Sequence, residues 1–591
     1  MKWSQKIKNC NFDILLNLAL AALLLFFVFI IPPFQKPDEP YHYYKTLAYV
    51  SGNFSKDSSS ELNSTFARLP ELALTRIGFT NNEAYDFSQV KANLLNKSEE
   101  STTFSTTIAW WQIAYLPNVM GMLVGKFLFA NSIFVALCAF FTGRLFMALC
   151  YFVTVIFLKK YVPKSFKPLF YAFVFLPMIV NQVTSFSYDG LLIILSLISF
   201  ISLLQVLTKS PNRKWFFILT LSLALQQWVK PGYYLLPLMI FFLPIKGLFG
   251  SKKGFFIFLC FFLFFSYLPS IINLGTVGSN FTQDRTIFID GRRINAGEQL
   301  EIILSNPFVF IKALIITSFY TFGNYLIQFI GILGWLTYEF PSWFYYVYVS
   351  VLLFSSYWAV KNEKNYFLTF FQWLLLLCLL FGSYVLIHLA MYLSWSEVAS
   401  LVITGVQGRY FVPLLPLLFL VFHDFYLFAK QNKSLQVFLV ISLFAVMSFT
   451  VFYTAKNRYY NFRTQWQNTD LVLADLEQKS QSDQSKSFSL PVSLEATASR
   501  QTTGFAIAID HYEATQAANL LYQIRDADCQ KVLLQAFVSP EDRYENAILL
   551  VKHQLLGAGE YCYQIQDVSN NPSPFRLRGE DSAFIDVLLL P

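Results

Sequence analysis

The sequence predicts a polytopic α-helical membrane protein with about 11 to 13 transmembrane helices, followed by a C-terminal extracytoplasmic β-sandwich of jelly-roll type. Three observations predict it. Of 591 residues, 55% are hydrophobic and only 14% are charged, with a mean hydropathy of +0.46, a balance outside the range of water-soluble domains. The apolar residues fall into runs of bilayer length separated by loops that carry Lys and Arg. Beyond about Ser489 these runs give way to short alternating stretches separated by Gly, Asp, Asn and Pro.

Composition also removes several function classes. The net charge of +8 comes from cations set between hydrophobic segments, with no basic stripe, so they read as topology signals and no nucleic-acid partner is expected. Of the 7 cysteines, Cys10, Cys138, Cys150, Cys260 and Cys378 lie in or beside apolar segments, and no CxxC pair occurs, which argues against structural zinc or a redox motif. Cys529 and Cys562 are either one disulfide of the tail or two free thiols.

The first apolar run, Leu15 to Ile31, follows Lys2, Lys6 and Lys8 and has no small-residue cleavage site before the prolines. It reads as a retained helix with a cytoplasmic N-terminus. Basic clusters at Lys159 to Lys167, Lys209 to Lys214, Lys246 to Lys253, Lys361 to Lys364 and Lys430 to Lys433 are expected on the cytoplasmic side. The mixed-charge stretch from Arg285 to Arg293 carries little bias. With those loops inside, eleven spans follow: Leu15 to Ile31, Ser132 to Leu158, Pro168 to Phe186, Leu191 to Leu207, Trp215 to Val229, Tyr233 to Leu243, Phe255 to Ile272, Ser342 to Val360, Tyr366 to Leu389, Tyr410 to Phe422 and Leu435 to Tyr453. Two further apolar stretches are read as not crossing singly, so that parity holds. Ile108 to Phe129 is a re-entrant or interfacial segment beside the first loop, and Phe308 to Tyr338, interrupted by Gly323, Gly331 and Gly334, a bent or re-entrant hairpin.

The domain boundaries follow from composition. Residues 1–464 form the membrane domain, with a large external loop over 32–108 whose polar middle exceeds 50 residues, a length that points to function. Residues 465–488 form a linker, and 489–591 the external β-domain, either a polysaccharide binder or a passive spacer.

The chemistry is expected in Pro32-Pro33-Phe34-Gln35-Lys36-Pro37-Asp38-Glu39-Pro40-Tyr41-His42-Tyr43-Tyr44. Two adjacent carboxylates fenced by prolines at a bilayer edge are held near the interface. Asp38 or Glu39, partly desolvated, can take a proton from a hydroxyl, and His42 falls one helical turn beyond Asp38. The plain alternative is a rigid solvated loop. Asp189, in Ser187-Tyr188-Asp189-Gly190, is the lone acid of a long apolar stretch and reads either as a helix cap or as a second acid of an external site. Lys230 and Arg409 lie at external helix ends, against the positive-inside bias, and an anionic group such as a lipid phosphate accounts for them; snorkelling to ordinary headgroups is the alternative. The histidines are scattered, so a divalent metal such as Mg or Mn is compatible with the acids but not indicated by them.

Taken in order, Pro-Pro-x-x-x-Pro-Asp-Glu-Pro-x-His-x-Tyr, Ser187-Tyr188-Asp189-Gly190, Lys230-Pro231-Gly232-Tyr233, Gly334-Trp335-Leu336 with Pro341, and Gln407-Gly408-Arg409-Tyr410 with Pro413 resemble the bacterial domain-of-unknown-function family 2142 over roughly residues 10 to 455. That family in turn resembles the GT-C superfamily of membrane glycosyltransferases. The resemblance implies a GT-C-like fold and inverting transfer of a sugar from a polyprenyl-phosphate donor to a cell-wall or surface polysaccharide, at the external face of the cell membrane. It implies Asp38 as catalytic base with Glu39 beside it. Asp189 would be the second external acid and Arg409 the lipid-phosphate ligand. Beside what the resemblance implies, His42, Lys230 and Tyr410 are read as substrate-binding. A flippase for lipid-linked saccharide and an oligosaccharide ligase or polymerase are the competing readings; the chain shows no internal repeat of the kind many transporters carry.

Overall fold

The computed structural model describes residues 12–52, 60–61, 64–74, 85–95, 103–104, 113–163, 166–207, 213–230, 232–243, 249, 251–282, 287–289, 292–336, 338–362, 369–414, 417–418 and 448–460, and the backbone of strands between 476 and 589. The chain divides into two compact units, Met1–Ile287 with Ile294–Tyr460, and Phe288–Arg293 with Asn461–Pro591.

The first unit is helical. In chain order it contains α1 (Phe12–Phe29), α2 (Glu39–Val50), α3 (Phe87–Leu95), α4 (Leu116–Leu128), α5 (Val135–Leu158), α6 (Lys167–Val174), α7 (Pro177–Val183), α8 (Tyr188–Val206), α9 (Arg213–Val229), α10 (Lys252–Thr282), α11 (Ala296–Ser305), α12 (Pro307–Ile330), α13 (Ser342–Asn362) and α14 (Phe370–Ser394). Among the described residues, five helical segments are long and apolar enough to cross a bilayer: Val135–Leu158, Tyr188–Val206, Lys252–Ile272, Pro307–Ile330 and Phe370–Ser394. Three shorter apolar helical segments, Ile14–Phe29, Ile113–Leu128 and Ser342–Ser355, accompany them. The chain is a multi-pass helical membrane protein.

Several expected spans take other forms. Pro168 to Phe186 is broken into α6 and α7, because Pro177 lacks an N–H and biases Leu176 to φ −57° and ψ 123°, outside the helical region. Tyr233 to Leu243 contains the 3₁₀ segment Leu236–Phe242, and the start of Tyr410 to Phe422 falls in the 3₁₀ segment Gly408–Leu414, with most of the remainder outside the described residues. Phe308 to Tyr338 is not a re-entrant hairpin. It is the continuous helix α12, in which Gly323 is tolerated; Gly331, at φ 157°, ends it before a two-residue hairpin of Ile332–Leu333 with Tyr338–Glu339. Most of Leu435 to Tyr453 lies outside the described residues.

One end of the bundle is set by polar contacts at the ends of α1, α5 and α8. Lys159 Nζ donates to Asn17 Oδ1 at 2.8 Å, and Gln205 Nε2 donates to the carbonyl of Tyr161 at 2.7 Å. The loop that joins α1 to α2, and the starts of α4 and α8, lie at the other end. There α4 folds back on α5 through small residues: a Cβ on Gly121 would meet the Thr142 carbonyl at 2.3 Å, and one on Gly125 would meet Ala139 Cα at 2.7 Å. Only glycine permits this approach, the packing that small-residue motifs give helices in lipid.

The strands of the second unit form two larger antiparallel sheets. One has the order Val532–Val538, Leu520–Arg525, Gly559–Asp567, Ser487–Leu494. The other has the order Arg543–Tyr544, Ile548–Leu556, Thr502–Asp510, with Arg576–Leu577 and Ile585–Leu589 both paired to the last. Thr502–Asp510, Leu520–Arg525, Val532–Val538, Ile548–Leu556, Gly559–Asp567 and Ile585–Leu589 lie in the region of alternating stretches beyond about Ser489. Ser487–Leu494, which begins in the expected linker, was hidden by Pro491. Cys529 lies outside the described residues, and with it the disulfide.

Candidate functional site

The loop from Pro32 to Asp38 is fixed by cations that end helices. Arg144, in the middle of α5 and fully buried, uses all five of its N–H groups. Nε and Nη2 hold Glu39 at 2.8 and 2.5 Å; Nη1 donates to the carbonyls of Val28 and Ile31 at 3.2 and 2.7 Å, and Nη2 also to that of Pro32 at 3.1 Å. The guanidinium therefore satisfies the Val28 carbonyl that α1 leaves orphaned in its last turn, and the Ile31 and Pro32 carbonyls of the turn that follows. Lys36, also buried, completes the task, donating to the carbonyls of Phe27 (3.3 Å) and Thr184 (2.5 Å) and to the Thr184 hydroxyl (2.8 Å). Burial, with Arg144 nearby, pushes the Lys36 ammonium well below its usual pKa, opposed only by Glu39. From much later in the chain, Trp335 Nε1 donates to the Phe34 carbonyl at 3.0 Å and Tyr460 Oη to that of Ile30 at 2.5 Å.

This frame leaves Asp38 in an unusual state. It occupies the N-cap position of α2, where Asp ordinarily accepts from the helix's first amides, yet its backbone is left-handed (φ 58°, ψ 9°) and its side chain makes no cap bond. Its carboxylate turns instead to Arg409, which donates to it through Nη2. Burial raises the Asp38 pKa, but the charge and hydrogen bond of Arg409, helped by His42 and Lys230, outweigh it, so the carboxyl is held below its ordinary value.

Arg409 comes from the 3₁₀ segment Gly408–Leu414, which presses against α12. A Cβ on Gly408 would stand 2.1 Å from the Tyr325 carbonyl, so this position admits only glycine, and the Gly408 amide donates to Gln328 Oε1 at 2.8 Å. The Arg409 guanidinium is buried, and its Nε lies 4.0 Å from Asp189 Oδ2. Nε and Nη1 have no hydrogen-bond partner, an arrangement that is costly for buried donors unless a ligand supplies acceptors. Asp189 lies in the first turn of α8, its amide donating to the N-cap Ser187 side chain, and its carboxylate accepts from Lys230 Nζ at 3.0 Å. Lys230, directly after α9, lies 4.3 Å from the centroids of both the Tyr188 and Tyr410 rings. Four of the five charged residues that the sequence singled out, Asp38, Asp189, Lys230 and Arg409, thus form one alternating chain of charge, with Tyr410 beside it.

His42 stands at its edge. Nδ1 is 2.8 Å from the Tyr115 hydroxyl and the ring packs edge-on against Tyr188. Burial lowers its pKa from 6.5 to about 4 despite the pull of Asp38 and Asp189, so the imidazole is neutral near pH 7. Glu39 is not part of the cluster: both its oxygens are spent on Arg144, with Oε1 also accepting from the Phe186 amide at 3.1 Å. It ties the loop to α5. Sequence reasoning missed Arg144, Lys36, Tyr115 and Tyr188. The first had a signal, since it is one of only two charges between Ile113 and Leu158; the tyrosines had none.

Beside Lys230 opens a cavity of about 350 Å³. It is lined by Tyr188, Gly232, Tyr233, Tyr234 and Tyr410 on one side and by Leu386, Ile387, Leu389, Ala390, Met391 and Leu393 of α14 on the other. Its charged end and its apolar wall suit an amphiphile. Among the described residues no group of three His, Cys, Asp or Glu gathers as metal ligands.

No curated protein and no solved structure gives a significant match to the chain. A family model described as "Predicted membrane protein (DUF2142)" matches residues 22–418, which span α1 to the Arg409 segment and so every residue of the cluster. The chain is therefore a member of the DUF2142 family of membrane proteins.

Proposed function

We propose that the protein is a GT-C-like inverting glycosyltransferase that moves a sugar from a polyprenyl-phosphate donor to a cell-wall or surface polysaccharide. The observation that carries this reading is Arg409, a buried cation with two partnerless nitrogens, set between two carboxylates, whose neighbours Lys230 and Tyr410 line an apolar cavity. The phosphate of a lipid donor supplies the missing acceptors, with Lys230 as second cation, and the cavity takes the first part of the chain.

The same exchange activates the base. When Arg409 leaves Asp38 for phosphate, the carboxylate loses the interaction that lowers its pKa and becomes a better proton acceptor. Asp38 takes the proton of the acceptor hydroxyl as that oxygen bonds to the anomeric carbon from the face opposite the phosphate. The anomeric carbon–oxygen bond breaks, and its electron pair leaves on the polyprenyl phosphate, neutralised by Arg409 and Lys230. In this reading the cluster faces outside the cytoplasm at the cell membrane, and the sheets of the second unit form an external β-sandwich that meets the polymer.

Asp38→Asn tests the assignment, because it keeps the shape and removes the base. The expected result is loss of the sugar from the surface polysaccharide at unchanged protein level, with the lipid-linked sugar accumulating. A normal glycan composition at normal protein level overturns the role of Asp38. If instead the lipid-linked sugar is trapped on the cytoplasmic side, the flippase reading takes its place.

A further inference from the structure

The hairpin of α4 and α5 rises past the charged cluster instead of stopping beside it. Arg144, bonded to the end of α1 and to Glu39, marks the level of the cluster on α5; Lys159, bonded to Asn17, marks the opposite end of the bundle. At 1.5 Å per residue, Arg144 stands about 22 Å from Lys159, and Val135 about 13 Å further on. A hydrocarbon layer of about 30 Å measured from Lys159 thus passes the level of Arg144 and climbs roughly 8 Å up the hairpin, and the headgroup layer covers the remainder.

The hairpin surface suits that setting. α4 turns Leu116, Met120, Leu123, Val124, Phe127 and Leu128 outward at helical spacing, with Met120 59% and Phe127 83% exposed. α5 continues the apolar exterior below, through Leu149, Val153 and Phe157, on a helix long enough to cross the membrane. Of the two charges between Ile113 and Leu158, Arg144 is buried and Lys126 lies in the last turn of α4, with its ammonium 5.9 Å from the centroid of the Phe66 ring.

We propose that the α4–α5 hairpin is embedded in the lipid of the leaflet on the cluster's side, forming a rim. Asp38, Asp189 and Arg409 then lie below the membrane surface, and a ligand headgroup must descend to them from the leaflet. The partner of the apolar stripe is the bilayer, not a second protein. The inference does not depend on glycosyl transfer, and it is tested without any activity.

In a chain whose native cysteines are replaced by serine, Met120→Cys and Phe127→Cys are each labelled with bimane and reconstituted in phosphatidylcholine vesicles. Lys91→Cys on α3, exposed and polar, serves as the aqueous reference. The expected result is that phosphatidylcholine with a nitroxide on its acyl chain quenches the hairpin labels about threefold more than the reference, while aqueous iodide quenches them less. Iodide quenching equal to the reference, without nitroxide quenching, places the hairpin in water and overturns the proposal. Protection from both quenchers overturns it as well, by showing a protein cover. Should the cysteine-free chain not fold, a genetically encoded fluorescent amino acid at Leu123 or Phe127 of the native chain gives the same readout.

Discussion

At the scale of single residues, the cluster is organised by one backbone choice. A left-handed Asp38 costs of order 1 kcal/mol or more for a residue with a Cβ, and in this protein the return is a carboxylate aimed at Arg409 instead of at its own helix. Arg409→Lys keeps the charge but has no planar fork to span Asp38 and Asp189. In the proposed reaction it should lower turnover by at least about tenfold, with little loss of thermal stability in detergent; an unchanged rate at equal expression removes Arg409 from the site. Two groups of the cluster act in the same direction on the acid side of the stability curve. His42 has a folded pKa below its unfolded value, so the unfolded chain binds the extra proton first, and stability falls as pH drops from about 6.5 toward 4. Asp38, also depressed, contributes stability above its unfolded pKa that is lost as pH falls through the folded one. His42→Gln should therefore flatten the decline in melting temperature between about pH 7 and pH 5; an identical slope in the variant refutes the assignment. Asp189, Lys230 and Arg409 were legible in the sequence because charge at an apolar helix end is conspicuous. Their pairing was not, because it needs the three-dimensional crossing of four segments. Glu39 looked equivalent to Asp38 for the same reason: adjacent residues in sequence leave a helix start in different directions, one toward Arg409 and one toward Arg144.

At the scale of elements, the sequence showed where apolar runs occur but not how each is used. Hydropathy cannot tell a crossing helix from a broken pair or a 3₁₀ segment, and the run that holds α6 and α7 is apolar for most of its length although Pro177 divides it. The glycines misled in the opposite sense on α12. Gly323 has nothing within 4 Å of a Cβ, so nothing forces a bend there, whereas Gly121 and Gly125 in the α4–α5 hairpin are required by close approach. Gly125→Leu should therefore destabilise the protein by about 2 to 4 kcal/mol, and Gly323→Ala should be neutral or slightly stabilising; thermal unfolding in detergent separates the two, and similar effects would refute the contact argument. Breaking the Glu39–Arg144 pair from one side leaves a charge buried without its partner, so Arg144→Met should cost about 3 to 5 kcal/mol. Glu39→Gln keeps hydrogen-bonding capacity and should be milder.

At the scale of the whole molecule, the prediction concerns sidedness. The bonds that join α1 to α5 and α8 to α5 put the basic loop after α5 at the end opposite the cluster, so a positive-inside membrane places the cluster outside. An impermeant maleimide should label Lys91→Cys from the outside of intact cells; labelling only after the membrane is opened would reverse the orientation. The loop also spans nearly all of the first unit in sequence. Arg409 follows Asp38 by 371 residues, and Tyr459, whose hydroxyl donates to the Gln35 carbonyl, follows that residue by 424. At about 5 to 20 residues per second, roughly 20 to 75 s pass between the synthesis of Asp38 and that of its partner. Glu39 waits far less, since Arg144 is only 105 residues away. The acid that stays paired for the life of the folded protein is thus neutralised early in insertion, while the acid proposed to react must remain hydrated until the chain is nearly complete, and a protein truncated before Arg409 would leave it permanently unmatched.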